Sequence, residues 1–228
     1  MKFRDREDAG RILATLLKER INQATFSLLA IPNGGIPVGL MIREQFLQKC
    51  AFGLLFIRKL QIPYNPEAGF GAVTLGGKLF LNRSLLSRLN LTEPEIETSK
   101  QLAMQSLRAR AEKFGASSDT ESSVAGRTTV IVDDGLASGF TMLAAVQSIE
   151  KAALRTIVAV PTASENAVRL IKSKTKAEVL CPDIRSGSPF AVANAYHNWR
   201  DIPDKEAIEA IQVTSSELQD TTPKVGEN

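Results

Sequence analysis

The sequence predicts an α/β fold, a parallel sheet with helices on both faces. Short apolar runs at 27–31, 52–57, 129–132, 156–160 and 177–181 have the length of strands, and segments with helical spacing of apolar residues separate most of them. Two strands joined through a helix make a right-handed βαβ unit, whose strands lie parallel. The 228 residues, 43% of them hydrophobic, suffice for one compact domain with a full core and a small appended subdomain.

Each element follows in order. Ala9, Ile12, Leu13, Leu16 and Leu17 fall at helical spacing, so 5–20 reads as an amphipathic helix ahead of strand 27–31. Pro32, Asn33, Gly34, Gly35, Ile36 and Pro37 form a tight loop, and a helix then runs to about residue 48. The run 52–57 is the second strand, ending in Arg58 and Lys59. From 61 to 91 the rhythm breaks: glycines at 69, 71, 76 and 77, with Val73, Leu75, Leu79 and Leu81 around Gly76 and Gly77, predict a β-hairpin projecting from the sheet. The stretch 69–74 begins like a dinucleotide fingerprint, but Thr74 replaces the third glycine and no helix follows, so that reading is rejected. Thr92, Glu93, Pro94 and Glu95 match a capping box, opening a helix to about residue 114 that is acidic at its start, basic at its end and closed by Gly115.

After a polar linker at 117–123 and the strand 129–132, helices are expected at 140–152, 164–174 and 203–211. The segment 182–199 is irregular and aromatic, with Phe190, Tyr196 and Trp199. One domain therefore spans 1–211, and the polar stretch 212–228 is expected to be a flexible tail.

Composition removes several function classes. A net charge of +3, with basic residues scattered among acidic ones, does not point to nucleic acid. Cys50 and Cys181 are far apart, and the sole histidine is His197, so neither a zinc site nor a histidine triad can be assembled within one chain. No signal-like or membrane-length apolar run is present, so a cytoplasmic protein with no membrane partner is expected.

The most informative segment is 129–141. The β-branched run from Thr129 to Val132 ends in Asp133 and Asp134, followed by a glycine-punctuated loop, Gly135 to Thr141, that opens an apolar helix (Phe140, Met142, Leu143, Val146, Ile149). A loop of this kind presents backbone N–H groups to a phosphate at the positive end of a helix. Ser138 and Thr141 can add hydroxyl donors, and Gly135 and Gly139 admit close approach of the anion. The two carboxylates would repel that phosphate unless they serve something else, either neighbouring sugar hydroxyls or a magnesium ion. The Gly34–Gly35 loop is a second place where N–H groups can converge on an anion, although such loops are often plain turns.

Apolar strand, paired acids, small-residue loop and threonine together resemble the phosphoribosyl pyrophosphate (PRPP) signature of the type I phosphoribosyltransferases. The resemblance is closest to a bacterial and archaeal branch whose loops read Pro-Arg-Gly-Gly-Val-Pro and Val-Asp-Asp-Gly-Ile-Ala-Thr-Gly. Arg58-Lys59-Leu60, Asn65-Pro66-Glu67 and Gly71-Ala72-Val73 also match it, and the match covers most of residues 3–211. The resemblance implies transfer of 5-phosphoribosyl from PRPP, accompanied by Mg2+, to a small-molecule acceptor, with pyrophosphate leaving. It implies that Asp133 and Asp134 hold the ribose hydroxyls, and that Gly135, Ala137, Ser138, Gly139 and Thr141 hold the 5′-phosphate. The loop of Asn33, Gly34 and Gly35, in this family often built on a cis peptide, would hold pyrophosphate.

Lys59, with Arg58, would neutralise the leaving group; without the resemblance, a pair of snorkelling surface cations is an equal reading of those two residues. No residue is assigned as a direct metal ligand; Glu67 is a candidate magnesium or substrate contact or a solvated loop carboxylate. The hairpin within 61–91 would be a lid and 182–199 a hood. The resemblance also allows a homodimer. Two departures stand out: Ser138 replaces the more frequent threonine and keeps the hydroxyl, while Asn33 replaces arginine and removes a cation. Asn33→Arg is accordingly expected to preserve or raise turnover. A non-catalytic PRPP or nucleotide sensor on the same fold is the alternative function. A generic phosphosugar-binding protein leaves the acidic pair unexplained.

Overall fold

The computed structural model describes residues 1–21, 25–116, 120–187 and 190–220, with side chains at 48, 66–68, 121 and 215–220 outside the description. The elements run α1 (Arg6–Lys18), β1 (Phe26–Ala30), α2 (Gly35–Phe46), β2 (Cys50–Leu54), β3 (Ile57–Ile62), β4 (Asn65–Thr74), β5 (Leu79–Leu81), α3 (Arg83–Leu89) and α4 (Glu93–Lys113). They continue α5 (Thr120–Val124), β6 (Thr128–Val132), α6 (Phe140–Ile149), β7 (Arg155–Ala159), β8 (Thr162–Ser164), α7 (Glu165–Lys174), β9 (Glu178–Leu180), β10 (Asp183–Arg185) and α8 (Asp204–Asp220).

A five-stranded parallel sheet in the order β2-β1-β6-β7-β9 forms the centre, with helices on both faces. Because side chains alternate along a strand, Leu28, Ala30, Val130, Val132, Ile157 and Ala159 face α1, α2 and α8, while Leu29, Ile131 and Val158 face α6 and α7. All five residues of β1 are buried: Phe26, Leu28 and Leu29 each add about 1.5–3 kcal/mol of hydrophobic stabilisation, and Ser27 Oγ donates to the Ser123 carbonyl at 2.7 Å. Among the described residues no helix is long and apolar enough to cross a membrane.

A second, antiparallel sheet, β3-β4-β5, packs with α3 and α4 around its own core of Phe56, Leu60, Ile62, Phe70, Val73, Ala103 and Leu107. The capping box predicted at Thr92 and Glu95 is formed, and Gly115, at φ +59, ends α4 in the left-handed region open to glycine. The hairpin expected around Gly76 and Gly77 is β4 and β5, and β3 extends it to three strands. Its turn is tied down: Lys78 Nζ donates to the Ser148 carbonyl at the C-terminal end of α6 across 2.9 Å.

Three expectations are corrected. Arg58 and Lys59 do not end the second parallel strand; β2 stops at Leu54, and both residues belong to β3, paired with Val73 and Ala72. The apolar run 52–57 is divided at a corner where Leu55 enters the core beneath α6 and Phe56 enters that of the second sheet. The tail expected from residue 212 is helical to Asp220, since α8 continues well past Ile211. The polar linker ends in the short α5, which buries Val124 completely. Residues 117–119 and 221–228, and the side chain of Glu67, lie outside the described residues.

Candidate active site

The carboxyl ends of β1 and β6 lie side by side, with Ala30 opposite Val132, and Ile31 N–H donates to the Val132 carbonyl at 2.9 Å. Adjacent parallel strands therefore bring the two predicted anion loops together at the edge where ligands of such sheets collect. Contact between the loops is close enough to require glycine. A Cβ at Gly35 would sit 2.7 Å from the Val132 carbonyl oxygen, and one at Gly34 would overlap the Asp134 carboxylate. The Pro32–Asn33 peptide bond is cis.

The second loop is held by β8. Leu136 is buried and bridges to Ala163 of β8, its N–H donating to the Thr162 carbonyl at 3.0 Å, and Ser164 Oγ donates to the Ala137 carbonyl at 2.7 Å. These bonds leave Ala137 and Ser138 exposed at the tip. Gly139, at φ +76, is the N-cap of α6 and supplies no side-chain cap, so the first-turn N–H groups, which have no acceptor within the helix, remain available with the Thr141 hydroxyl. With no acidic residue in its first turn, α6 presents an uncompensated positive dipole end there. The arrangement can hold an oxyanion.

Asp133 and Asp134 stand between the loops. Asp133 Oδ1 accepts from the Asp134 N–H at 2.8 Å. Burial, reinforced by the adjacent Asp134 charge, pushes the Asp133 carboxyl well above the usual carboxylate range. Burial also raises Asp134, but Arg6 opposes the shift. Arg6 Nε donates to Asp134 Oδ2 at 2.8 Å, and the arginine is itself only 8% exposed. Tyr196 donates its hydroxyl to the Asp134 carbonyl at 2.5 Å, and burial raises its phenol far enough to keep it a donor. This acidic pair is half-buried, with Arg6 as its paired cation among the described residues.

Arg6 was missed from the sequence, yet it left a signal. It lies in register with Ala9, Gly10, Leu13, Ala14 and Leu17 on the buried stripe of α1, where an arginine needs a partner. Arg110 was missed too, noted only as one of the basic residues ending its helix. From α4 it donates through Nη2 to Asn33 Oδ1 at 2.5 Å, while Asn33 Nδ2 donates to the Ile202 carbonyl at 2.8 Å and to Asp204 Oδ1 at 2.9 Å. The Asn33 side chain is thus a joint between loop, α4 and α8.

Asn33, Gly34, Gly35, Asp133, Asp134, Gly135, Ala137, Ser138, Gly139 and Thr141 are brought to one edge of the central sheet. Arg58 and Lys59 are not on that edge; they line a separate cleft of about 590 Å3 with Gln61, Pro94, Thr98 and Leu102, and Gly69 leaves room for the Lys59 side chain. Both thiols are raised by burial, Cys50 to about 12 and Cys181 to about 11, which disfavours thiolate chemistry at neutral pH.

Comparison with known proteins agrees with this geometry. A family model described as the phosphoribosyl transferase domain matches residues 72–195, which takes in the whole Asp133–Thr141 segment. The Mycobacterium tuberculosis proteins Rv0571c and MT0597, each provisionally named a phosphoribosyl transferase, are 32% identical over 210 residues. That alignment spans 90% of this chain and 45% of theirs, so the chain spans about half the length of these curated relatives. The crystal structure of TT1426 from Thermus thermophilus superposes with a TM-score of 0.76 at 30% identity, over 92% of this chain and 98% of that one. AQ2163 from Aquifex aeolicus, with a TM-score of 0.50 and 14% identity over 79% of this chain and 75% of that one, shares the fold. With a family model that matches more than half of its length and takes in Asp133–Thr141, the chain belongs to the phosphoribosyl transferase domain family.

Proposed function

We propose that the protein transfers a 5-phosphoribosyl group from PRPP to a nitrogen nucleophile of a small acceptor, releasing pyrophosphate. One observation carries the reading: a glycine loop, a half-buried carboxylate pair and an uncapped helix N-terminus lie side by side on neighbouring strand ends. These suit, in turn, the pyrophosphate, the ribose hydroxyls and the 5′-phosphate of one ligand. The N–H groups opening α6, with Ser138 and Thr141, hold the 5′-phosphate. Asp133 and Asp134 accept from the ribose 2′ and 3′ hydroxyls, bonds strengthened by charge. The 32–35 loop takes the pyrophosphate.

Magnesium fits as part of the substrate. Among the described residues no three His, Cys, Asp or Glu side chains gather to hold a resident ion, and Asp134 already pairs with Arg6. An ion carried by the oxygens of PRPP would supply charge neutralisation to the departing pyrophosphate. In the reaction the acceptor nitrogen bonds to C1 as the C1–oxygen bond breaks. Pyrophosphate departs with that electron pair, and the nitrogen's proton passes to solvent. The chain's own contribution is alignment and preorganised donors.

The non-catalytic reading keeps two observations in its favour. Arg58 and Lys59, the cations assigned to the leaving group, lie in the second sheet, and the Asn33 side chain is turned toward α4 and α8. Calorimetry with magnesium-PRPP, followed by a pyrophosphate-release screen over purines, pyrimidines and simple amines, separates the two. Binding with release supports the transferase; binding with no release from any acceptor supports the sensor; no binding removes both. With Lys59 in the second sheet and off the ligand edge, Lys59→Ala is expected to change neither turnover nor PRPP affinity.

A further inference from the structure

We infer that Arg6 is a positioning residue for the sugar-binding carboxylate Asp134, holding it ionised and aimed from the opposite side of the ligand. The inference rests on the phosphoribosyl reading of the site. Arg6 sits on the buried face of α1, 128 positions from its partner, and its guanidinium is constrained on three sides. Nε bonds to Asp134 Oδ2 at 2.8 Å, Nη1 donates to the Arg200 carbonyl at 2.8 Å, and the Trp199 ring centre lies 3.9 Å from Cζ. The Tyr196 ring, 5.9 Å from Cζ, completes the enclosure, and the hydroxyl of the same tyrosine fixes the Asp134 backbone.

The chain builds this enclosure from both ends. Phe3 N–H donates to the Ala195 carbonyl at 2.8 Å, His197 N–H to the Phe3 carbonyl at 2.9 Å, and Asn198 N–H to the Arg4 carbonyl at 2.8 Å. The segment leading into α1 is therefore laced to the segment that carries Tyr196 and Trp199. Arg6 and Asp134 are where the two meet the ligand edge.

A purely structural role explains this poorly. Desolvating an arginine and a carboxylate costs as much as their attraction returns, and an apolar pair of similar volume packs as well or better. What an apolar pair cannot do is leave a carboxylate with lone pairs to spare beside a sugar site. An ionised carboxylate has about four acceptor positions, of which Nε of Arg6 occupies one. Among the described residues the ionisable groups facing Asp134 are Arg6 from α1, Asp133 beside it and Tyr196, and the 32–35 loop meets it through uncharged Gly34. Arg6 is the cation among them.

The test is a double-mutant cycle read by calorimetry with magnesium-PRPP, using wild type, Arg6→Gln, Asp134→Asn and the double variant, with inorganic phosphate as a second ligand. Arg6→Gln is expected to weaken PRPP roughly tenfold to a hundredfold while leaving phosphate binding at the α6 loop unchanged. Arg6→Lys, which keeps the charge but loses the fork and the stacking, should recover part of the loss. In the Asp134→Asn background Arg6→Gln should change PRPP affinity less than about twofold, because the two residues act as one unit. Equal PRPP affinity in wild type and Arg6→Gln, or an equal loss with and without the Asp134 carboxylate, overturns the inference. Wild type that binds no PRPP overturns the phosphoribosyl reading and the inference with it. If Arg6→Gln alone does not fold, the comparison of Asp134→Asn with the double variant decides, since in Asp134→Asn the introduced amide oxygen still accepts from Arg6 and the double variant carries neither charge: a loss beyond about twofold overturns the inference and a smaller one supports it.

Discussion

Arg110 donates to Asn33 across 2.5 Å, and the same guanidinium lies 3.2 Å from Asp204, so one residue of the candidate pyrophosphate loop is clamped by two helices that have no other part in the site. Asn33 fills this place as both acceptor and donor. This clamp argues against the expectation that arginine here would preserve or raise turnover. Asn33→Arg can keep a contact with Asp204 but sets a second guanidinium against Arg110 and removes its acceptor. Lower stability by about 1–3 kcal/mol is expected for Asn33→Arg, and a similar loss for Asn33→Ala, by chemical denaturation. A stable Asn33→Arg with higher pyrophosphate release would refute the clamp.

Asp133→Asn should stabilise the protein while removing its sugar site. The Asp133 carboxyl is pushed up by burial and by the Asp134 charge. A carboxyl raised on folding favours the folded state while protonated, so its contribution is present below the ordinary carboxylate pKa and is lost as pH rises through the folded value. The amide keeps the oxygen that accepts from the Asp134 N–H and abolishes the penalty. The variant's Tm should exceed that of wild type at neutral pH, with the difference shrinking on acidification, while PRPP binding weakens by about 1.5–3 kcal/mol. A Tm gap that widens toward acid would reverse the assigned sign.

Gly139→Ala tests the anion loop. At φ +76 an L side chain is strained, and its Cβ would lie 2.9 Å from that of Ala167. Destabilisation by about 1–3 kcal/mol is expected, with loss of phosphate binding. Crystals of the wild type grown in sulfate should carry an anion at the N–H groups of 138–141, and an ordered but empty loop would speak against the cradle.

Hydrogen exchange should divide the second sheet. Lys78 ties the Gly76–Gly77 turn to Ser148, at the far end of a ten-residue helix about 15 Å long whose other end opens at Gly139. Residues 70–74, with Phe70 and Val73 fully buried, should be protected with or without PRPP, and a ligand-dependent change should fall near 61–65. A turn at 75–78 that becomes protected only with PRPP would restore the lid to the place expected from glycine density.

Local chemistry was legible wherever neighbours in sequence are also neighbours in space. The Asp133–Thr141 segment, the Thr92–Glu95 capping box and the apolar stripe of α1 announce themselves because each is decided within one turn or one strand end. The apolar run 52–57 defeated the same reasoning. Nothing local says that Leu55 and Phe56 enter different cores, and that corner removes Arg58 and Lys59 from the central sheet's edge. Arg6 was half legible: its place on a buried stripe demands a partner, but the partner lies 128 residues away. By itself, then, the sequence determined the fold class, the glycine loop 135–141 and the carboxylate pair, whose geometry follows from backbone conformation and short spacing. Only the tertiary structure decided which cations attend them, because long side chains such as Arg6 and Arg110 act where packing delivers them, and packing joins residues by burial rather than by order along the chain.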